Sequence, residues 1–336
     1  MSVSIKTTIY DCSEGSDGFG IQDSGMGYIY GTFPVFNGGE EGAIYQLNVA
    51  TSTTRAITSG FTPQGELGKM TLGNDQMIYF SERNINYHIG KIDPTSGSIS
   101  EIPIPGTVTS RMLGGITTDK TTGLIWLTSR VYDIKTDPEN VRQGIISYNP
   151  ATGEISEYLT ASFSPDNPGD ITVDNAGNIW FVELSGAGLI RFTPNTQEFS
   201  YYPAPLNEDI NINALTTDTD GNIWYTNTYY NNNAGAIGKF TPETGEYTQY
   251  SEGILNGPPS DIVIMNNGVI WFNEHSGQYL GTLDPDTGYI EEISVNIPAE
   301  QSLFGQGDLC LSQTSSNIIW GCSAYAITSY EIIDQQ

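Results

Sequence analysis

Three groups of side chains in this sequence have the types and spacing to do chemistry. Glu274 and His275 are adjacent, and a carboxyl beside an imidazole supplies an acid and a base near neutral pH. Arg83, Arg111 and Arg130, with Lys135 and Arg142 close by, gather cations in a chain whose net charge is −27. A guanidinium is a planar fork for carboxylates, enolates and carbonyl-rich ligands. Glu82, Glu183 and Glu274 each stand three residues after a recurring aromatic, where a carboxylate holds a cation or accepts hydrogen bonds from a neighbouring element. Asn227 and Tyr229, in an amide- and tyrosine-rich run after Tyr225, add neutral polar contacts. The expected set is therefore Glu274 and His275 for proton transfer, with Arg83, Arg111, Arg130, Glu183, Asn227 and Tyr229 for binding. No metal is required by these residues. His88 reads as a structural histidine at the start of a strand. Asp174 to Asn178 and Asp218 to Asn222 look like calcium loops, but Ser185 and Tyr229 stand where the bidentate glutamate belongs, so both are expected to be hairpin turns.

These residues hang on a repeat. An aliphatic residue followed by Tyr or Trp recurs, with the aromatic at Tyr30, Tyr79, Trp126, Trp180, Trp224, Trp271 and Trp320. The spacings are 49, 47, 54, 44, 47 and 49 residues, and all five tryptophans share the register. Before each aromatic come a short apolar run and a turn, as in Asp170–Asp174, then Asn175-Ala176-Gly177, then Asn178–Phe181. This reads as strand, hairpin, strand. A third strand follows and ends in a Pro-x-Thr-Gly type turn, as at Pro150 to Gly153 and Pro242 to Gly245. Proline presets φ there and glycine takes the left-handed position. Gln197 stands where the fourth blade should have that glycine. A fourth strand completes each unit.

Four antiparallel strands in units of this length predict an all-β fold, a seven-bladed β-propeller. The last unit lacks a fourth strand and the first has a spare one in front, so residues 4–10 are expected to complete blade seven and close the ring as one domain. The loops entering each first strand and leaving each second strand share one face, here the top, and vary from blade to blade. The opposite face carries the tight turns. Variable loops are where function usually lies, so one asymmetric pocket at the top of the axis is expected.

The wording Gly-Asn-Ile-Trp-Phe-x-Glu, a short loop, then Ile-Gly-x-Phe/Ile-x-Pro-x-Thr-Gly, clearest over Gly177–Pro194, Gly221–Pro242 and Gly268–Pro285, resembles the streptogramin B lyase family. The resemblance implies opening of a cyclic antibiotic ester by elimination, with magnesium as a possible cofactor. It places catalytic histidines where this chain has Ser260 and Gly307, and a glutamate near Ala324. With those groups replaced, the expected activity is a lyase, cyclase or isomerase step on a small natural product. The alternative is a non-catalytic propeller that binds a glycan or a protein partner.

Composition narrows the partners. Twelve Lys and Arg against 39 Asp and Glu leave no basic face for nucleic acid or for anionic lipid. No apolar run is long enough to span a bilayer, and the start lacks the apolar core of a signal peptide. A cytoplasmic monomer acting on a small-molecule ligand is expected. Three cysteines do not make a disulfide scaffold, and free thiols are expected.

Overall fold

The computed structural model describes residues 3–12, 15–16, 18–36, 42–62, 66–82, 88–105, 110–132, 142–160, 168–183, 188–205, 210–228, 235–275, 278–295, 297 and 307–333. Seven four-stranded antiparallel sheets stand in a ring, and a two-stranded ribbon pairs Gly15–Ser16 with Val35–Phe36. The first strands of successive blades touch one another around the axis, and the circuit closes from the last blade to the first and on to the second. No helix of the described residues is long and apolar enough to cross a membrane.

Blade 2 consists of Leu67–Leu72, Ile78–Glu82, His88–Asp93 and Ser98–Pro103. Blade 6 consists of Pro259–Ile264, Ile270–Glu274, Tyr279–Leu283 and Ile290–Ser294. Blade 7 takes Leu309–Leu311, Ile318–Ser323 and Ala326–Ile333, and its outermost strand is Ser4–Asp11. That strand runs antiparallel to Ala326–Ile333 in an unbroken ladder from Ser4 opposite Ile333 to Asp11 opposite Ala326. The closure expected from the sequence is present, one residue longer than the expected 4–10.

The core lies between blades. One cluster joins Tyr30 and Ile44 of blade 1, whose strands are Ile21–Asp23, Tyr28–Phe33, Ala43–Asn48 and Thr53–Ile57, to Leu67, Met70 and Phe80 of blade 2. Another joins Trp224 and Ile237 of blade 5, whose strands are Ile212–Thr217, Ile223–Asn227, Ala236–Thr241 and Glu246–Tyr250, to Ile262, Ile270 and Phe272 of blade 6. The seven repeat aromatics are at most 3% exposed. Three of them also carry a cation from the third strand over the ring: Lys91 on Tyr79, Arg191 on Trp180 and Lys239 on Trp224, at 5.4–5.7 Å from the centroids. Truncating one such aromatic to alanine costs about 3–5 kcal/mol by the usual cavity arithmetic.

The two calcium-like loops are hairpin turns. Asp174 accepts the backbone N–H groups of Ala176 and Asn178 and the indole N–H of Trp180. Asp218 does the same for Asp220, Asn222 and Trp224. Their carboxylates serve the turn and the buried tryptophan. Gln197 adopts φ 57°, alongside 71° to 75° at the glycines of the equivalent turns, so the left-handed position survives without glycine.

Candidate functional site

The residue two positions after the repeat aromatic ties neighbouring blades together around the axis. Thr32, Thr226 and Asn273 each accept a backbone N–H from their own first strand: Gly20, Ala214 and Asp261. They donate to the next blade's first-strand carbonyl, at Gly68, Ser260 and Gly307. Thr128 likewise donates to Gly169. This stitching fixes a ring of residues that face the axis near the top end of the first strands. In five blades the ring residue stands ten positions before the repeat aromatic: Gly20, Lys69, Asp170, Ala214 and Asp261. Blade 7 contributes Asp308 just ahead of its first strand.

Lys69 meets three of the others. Its Nζ reaches Asp308 at 3.0 Å, Asp170 at 3.2 Å and Asp261 at 3.7 Å, on three different blades. The cation thus spans the axis, with its side chain 18% exposed. Asp170 and Asp261 give their other oxygen to the N–H of Leu215 and Leu309 on the next blade. Burial alone lowers the Lys69 pKa, but the three carboxylates outweigh it and hold Lys69 well above its ordinary value. Burial raises Asp261 above its ordinary value, against the pull of Lys69 and with help from Asp170, and raises Asp308 well above it, with help from Asp261 and Asp170. One cation among three buried carboxyls is a site that retains a proton where an ordinary aspartate would release it. Sequence reasoning missed this cluster because its members lie up to 239 positions apart. The ten-residue offset from the repeat aromatic was the available signal.

The residues expected from sequence are distributed differently. Glu82, Glu183, Asn227 and Glu274 all end second strands and are at most 3% exposed. They face the fourth strand of their own blade across the third. Phe80 and Phe272 pair with Gly90 and Gly281 on the third strands, which pair in turn with Glu101 and Glu292. A Cβ on either glycine would lie 1.9 Å from the phenylalanine ring, so only glycine makes room for the ring that packs over the third strand. Glu274 thereby meets Glu292, and burial together with that second carboxyl pushes Glu274 from 4.5 up to about 9. Glu82 meets Glu101, and burial with the same kind of partner pushes it up to about 8. The partner glutamates also hold loops: Glu101 accepts the N–H of Thr62, and Glu292 accepts those of Leu255 and Asn256. Asn227 accepts the N–H of Asn211 and donates to Gln249. Glu183 lies near Tyr201, whose phenol is raised first by burial and then by that charge.

His275 is exposed, and its N–H donates to the Pro258 carbonyl. Arg130, near the end of a second strand, is half-buried opposite Met112 and Gln143. Arg111 is placed by its backbone opposite Val131. Arg83 and Tyr229 lie outside the described residues. Ser260 is buried, and its carbonyl accepts from Asn213 and Thr226. At Gly307 a Cβ would sit 1.9 Å from the Cys322 carbonyl oxygen, so a histidine does not fit this backbone. Ala324 is buried and apolar. These three positions offer no imidazole or carboxylate to a magnesium ion. The three cysteines are free; burial pushes Cys12 up to about 12 and raises Cys310 and Cys322 as well, so none is a ready thiolate.

No family model matches the sequence, and no curated protein matches it. Solved structures do resemble the fold. A streptogramin B lyase is 22% identical, with 98% of each chain covered and a TM-score of 0.74. A catalytically inactive histidine-to-alanine variant of virginiamycin B lyase from Staphylococcus aureus, with quinupristin, is 21% identical over 98% of this chain and 100% of that one, with a TM-score of 0.76. The WD40 repeats of RRP9 are only 9% identical, yet cover 99% of this chain and 100% of theirs with a TM-score of 0.73. The chain thus shares the seven-bladed architecture of the streptogramin B lyases, and shares it equally with a WD40 protein of a different kind.

Proposed function

We propose that this protein transforms a small organic ligand at the top of its axis, with Asp261 and Asp308 as the proton-handling pair and Lys69 as the fixed cation. The observation that carries the reading is Lys69 in contact with aspartates from three blades, two of them raised above the ordinary range. Two neighbouring carboxyls that hold one proton between them can deliver it to a leaving oxygen and take one from carbon or water. Lys69 offsets the charge that remains. Arg111 and Arg130 are the proposed contacts for an electron-rich oxygen of the ligand, and a lyase, cyclase or isomerase step fits these groups. Magnesium has no part in this scheme.

Incubating the protein with a panel of cyclic esters, quinupristin among them, and reading mass and ring-opening by mass spectrometry tests the proposal. Quinupristin should be recovered intact, since Ser260 and Gly307 stand at the histidine positions of the resemblance. A converted panel member should lose about 100-fold in rate in Asp308→Asn, within the range that removal of a general acid produces. Conversion that is indifferent to Asp308→Asn and Lys69→Met, or a panel neither bound nor changed, sinks the reading. The second reading is a non-catalytic propeller for a glycan or protein partner. It is favoured by Asp170 and Asp261 each bonding the next blade's backbone, which gives the cluster a purely cohesive use.

A further inference from the structure

Blade 2 holds a second group of ionisable side chains, away from the axial ring residues. Glu82 ends the second strand, His88 begins the third, and Glu101 lies on the fourth. One donor atom from each falls within a sphere where all lie within 4.8 Å of one another. His88 Nδ1 is 3.8 Å from Glu101 Oε2 and 4.0 Å from Glu82 Oε2. Glu82 is fully buried, and with both glutamates ionised neither of its carboxyl oxygens has a hydrogen-bond partner. His88 Nδ1 is also buried and has none. A buried polar atom left unsatisfied costs about 1–3 kcal/mol, and more when charged. Here three such atoms converge on one gap. A proton between the two carboxyls would satisfy the glutamates but leave the imidazole nitrogen with nothing to bind.

We propose that this gap is a binding site for a divalent transition ion of the zinc class, held by Glu82, His88 and Glu101. Bonds of about 2.1 Å in tetrahedral geometry put ligand atoms roughly 3.4 Å apart, a contraction of about half an ångström from the two spacings of 3.8 and 4.0 Å between His88 and the glutamates. One nitrogen and two carboxylate oxygens suit zinc and its neighbours. Calcium asks for six to eight oxygens, and magnesium for a near-ideal octahedron, which this set does not offer. Two carboxylates and a dication sum to neutrality, which removes the cost of buried charge. Three protein ligands leave a fourth position for a water brought in with the ion. Glu101 is also anchored through its other oxygen to the Thr62 N–H, so this ligand is positioned before the ion arrives.

The test uses the full chain, stripped with a chelator and desalted. Zinc is titrated by calorimetry and cobalt by its visible absorption. One equivalent should bind, with the cobalt spectrum of a low-coordinate nitrogen–oxygen site. His88→Tyr should weaken zinc binding at least tenfold, about 1.4 kcal/mol, and Glu82→Gln should do the same. Glu101→Gln retains an acceptor for the Thr62 N–H and serves as the third variant should either of the others fail to fold. Zinc binding that is absent in the parent chain, or that is unchanged in the folded variants, overturns the site. The axial aspartates are untouched in every variant, so the outcome is independent of the function proposed above.

Discussion

Blades 2 and 6 carry the same device and put it to different ends. In each, a glutamate closes the second strand, a glycine on the third makes room for a phenylalanine ring, and a second glutamate on the fourth meets the first while capping a loop from the previous blade. The difference lies at the first residue of the third strand, which is His88 in blade 2 and Tyr279 in blade 6. Glu274 and Glu292 therefore have only a proton to share, whereas Glu82 and Glu101 have an imidazole nitrogen aimed at them. The backbone decides where a carboxyl pair forms. One side chain beside the pair decides what occupies it.

The comparison breaks most visibly at the glycines. Gly90→Ala and Gly281→Ala each drive a methyl into a phenylalanine ring and should cost about 3 kcal/mol, at the upper end of overpacking costs. Urea denaturation of the two variants measures this. A large loss in one blade beside none in the other would show that the scaffolds are not equivalent.

The next effect is a pH dependence read at the blade 6 pair, which has no imidazole beside it. Glu274 is raised in the folded state, from 4.5 to about 9. The stability it contributes is complete below about pH 4.5 and is lost as pH rises toward 9. Glu274→Gln mimics the protonated form and lacks this loss. Measured in chelator, the melting temperature of the parent should fall relative to the variant between pH 5 and pH 9. A relative fall of about 2 °C corresponds to roughly 1–2 kcal/mol in a chain of this size. Parallel curves would mean that Glu274 is ionised throughout.

The smallest change in stability, and the sharpest test of the contrast, is Tyr279→His. Tyr279 is half-buried, so the metal-free protein should lose less than about 1 kcal/mol, within the range of ordinary substitutions outside the core. If the neighbouring side chain selects the occupant, this variant should bind a second equivalent of zinc in calorimetry. Unchanged stoichiometry would show that blade 6 differs in more than one residue.

The fold was legible because it is periodic. Seven aromatics in register, the turns before and after them and the spare strand at one end left little choice but a closed ring. The turn aspartates were also readable, since the twelfth position of a calcium loop was vacant of glutamate in both. The axial cluster was not read, although Lys69, Asp170 and Asp261 each stand ten residues before a repeat aromatic. Inner-strand positions look like ordinary alternating strand, and nothing local marks the residue that points to the axis. Glu274 was singled out next to His275, but chain neighbours on a strand face opposite ways. Its partner is Glu292, 18 residues on and two strands across. His88 read as structural because its two carboxyl neighbours come from different strands.

The ladder between Ser4 and Ile333 joins residues 329 positions apart. Its formation cannot begin until the rest of the propeller has been synthesised, because the partner strand is the last of the propeller's strands in chain order. Until then the first six blades are an open arc with an apolar sheet face bare at each end, and the first strand is an unpaired segment without its mate. Such long-range pairing is slow by topology alone, and exposed edges are what intermolecular pairing seizes. Residues 4–11 thus act as a latch on a nearly finished ring. In a growing chain the hazardous interval is the one between the emergence of blade 6 and the moment the latch engages.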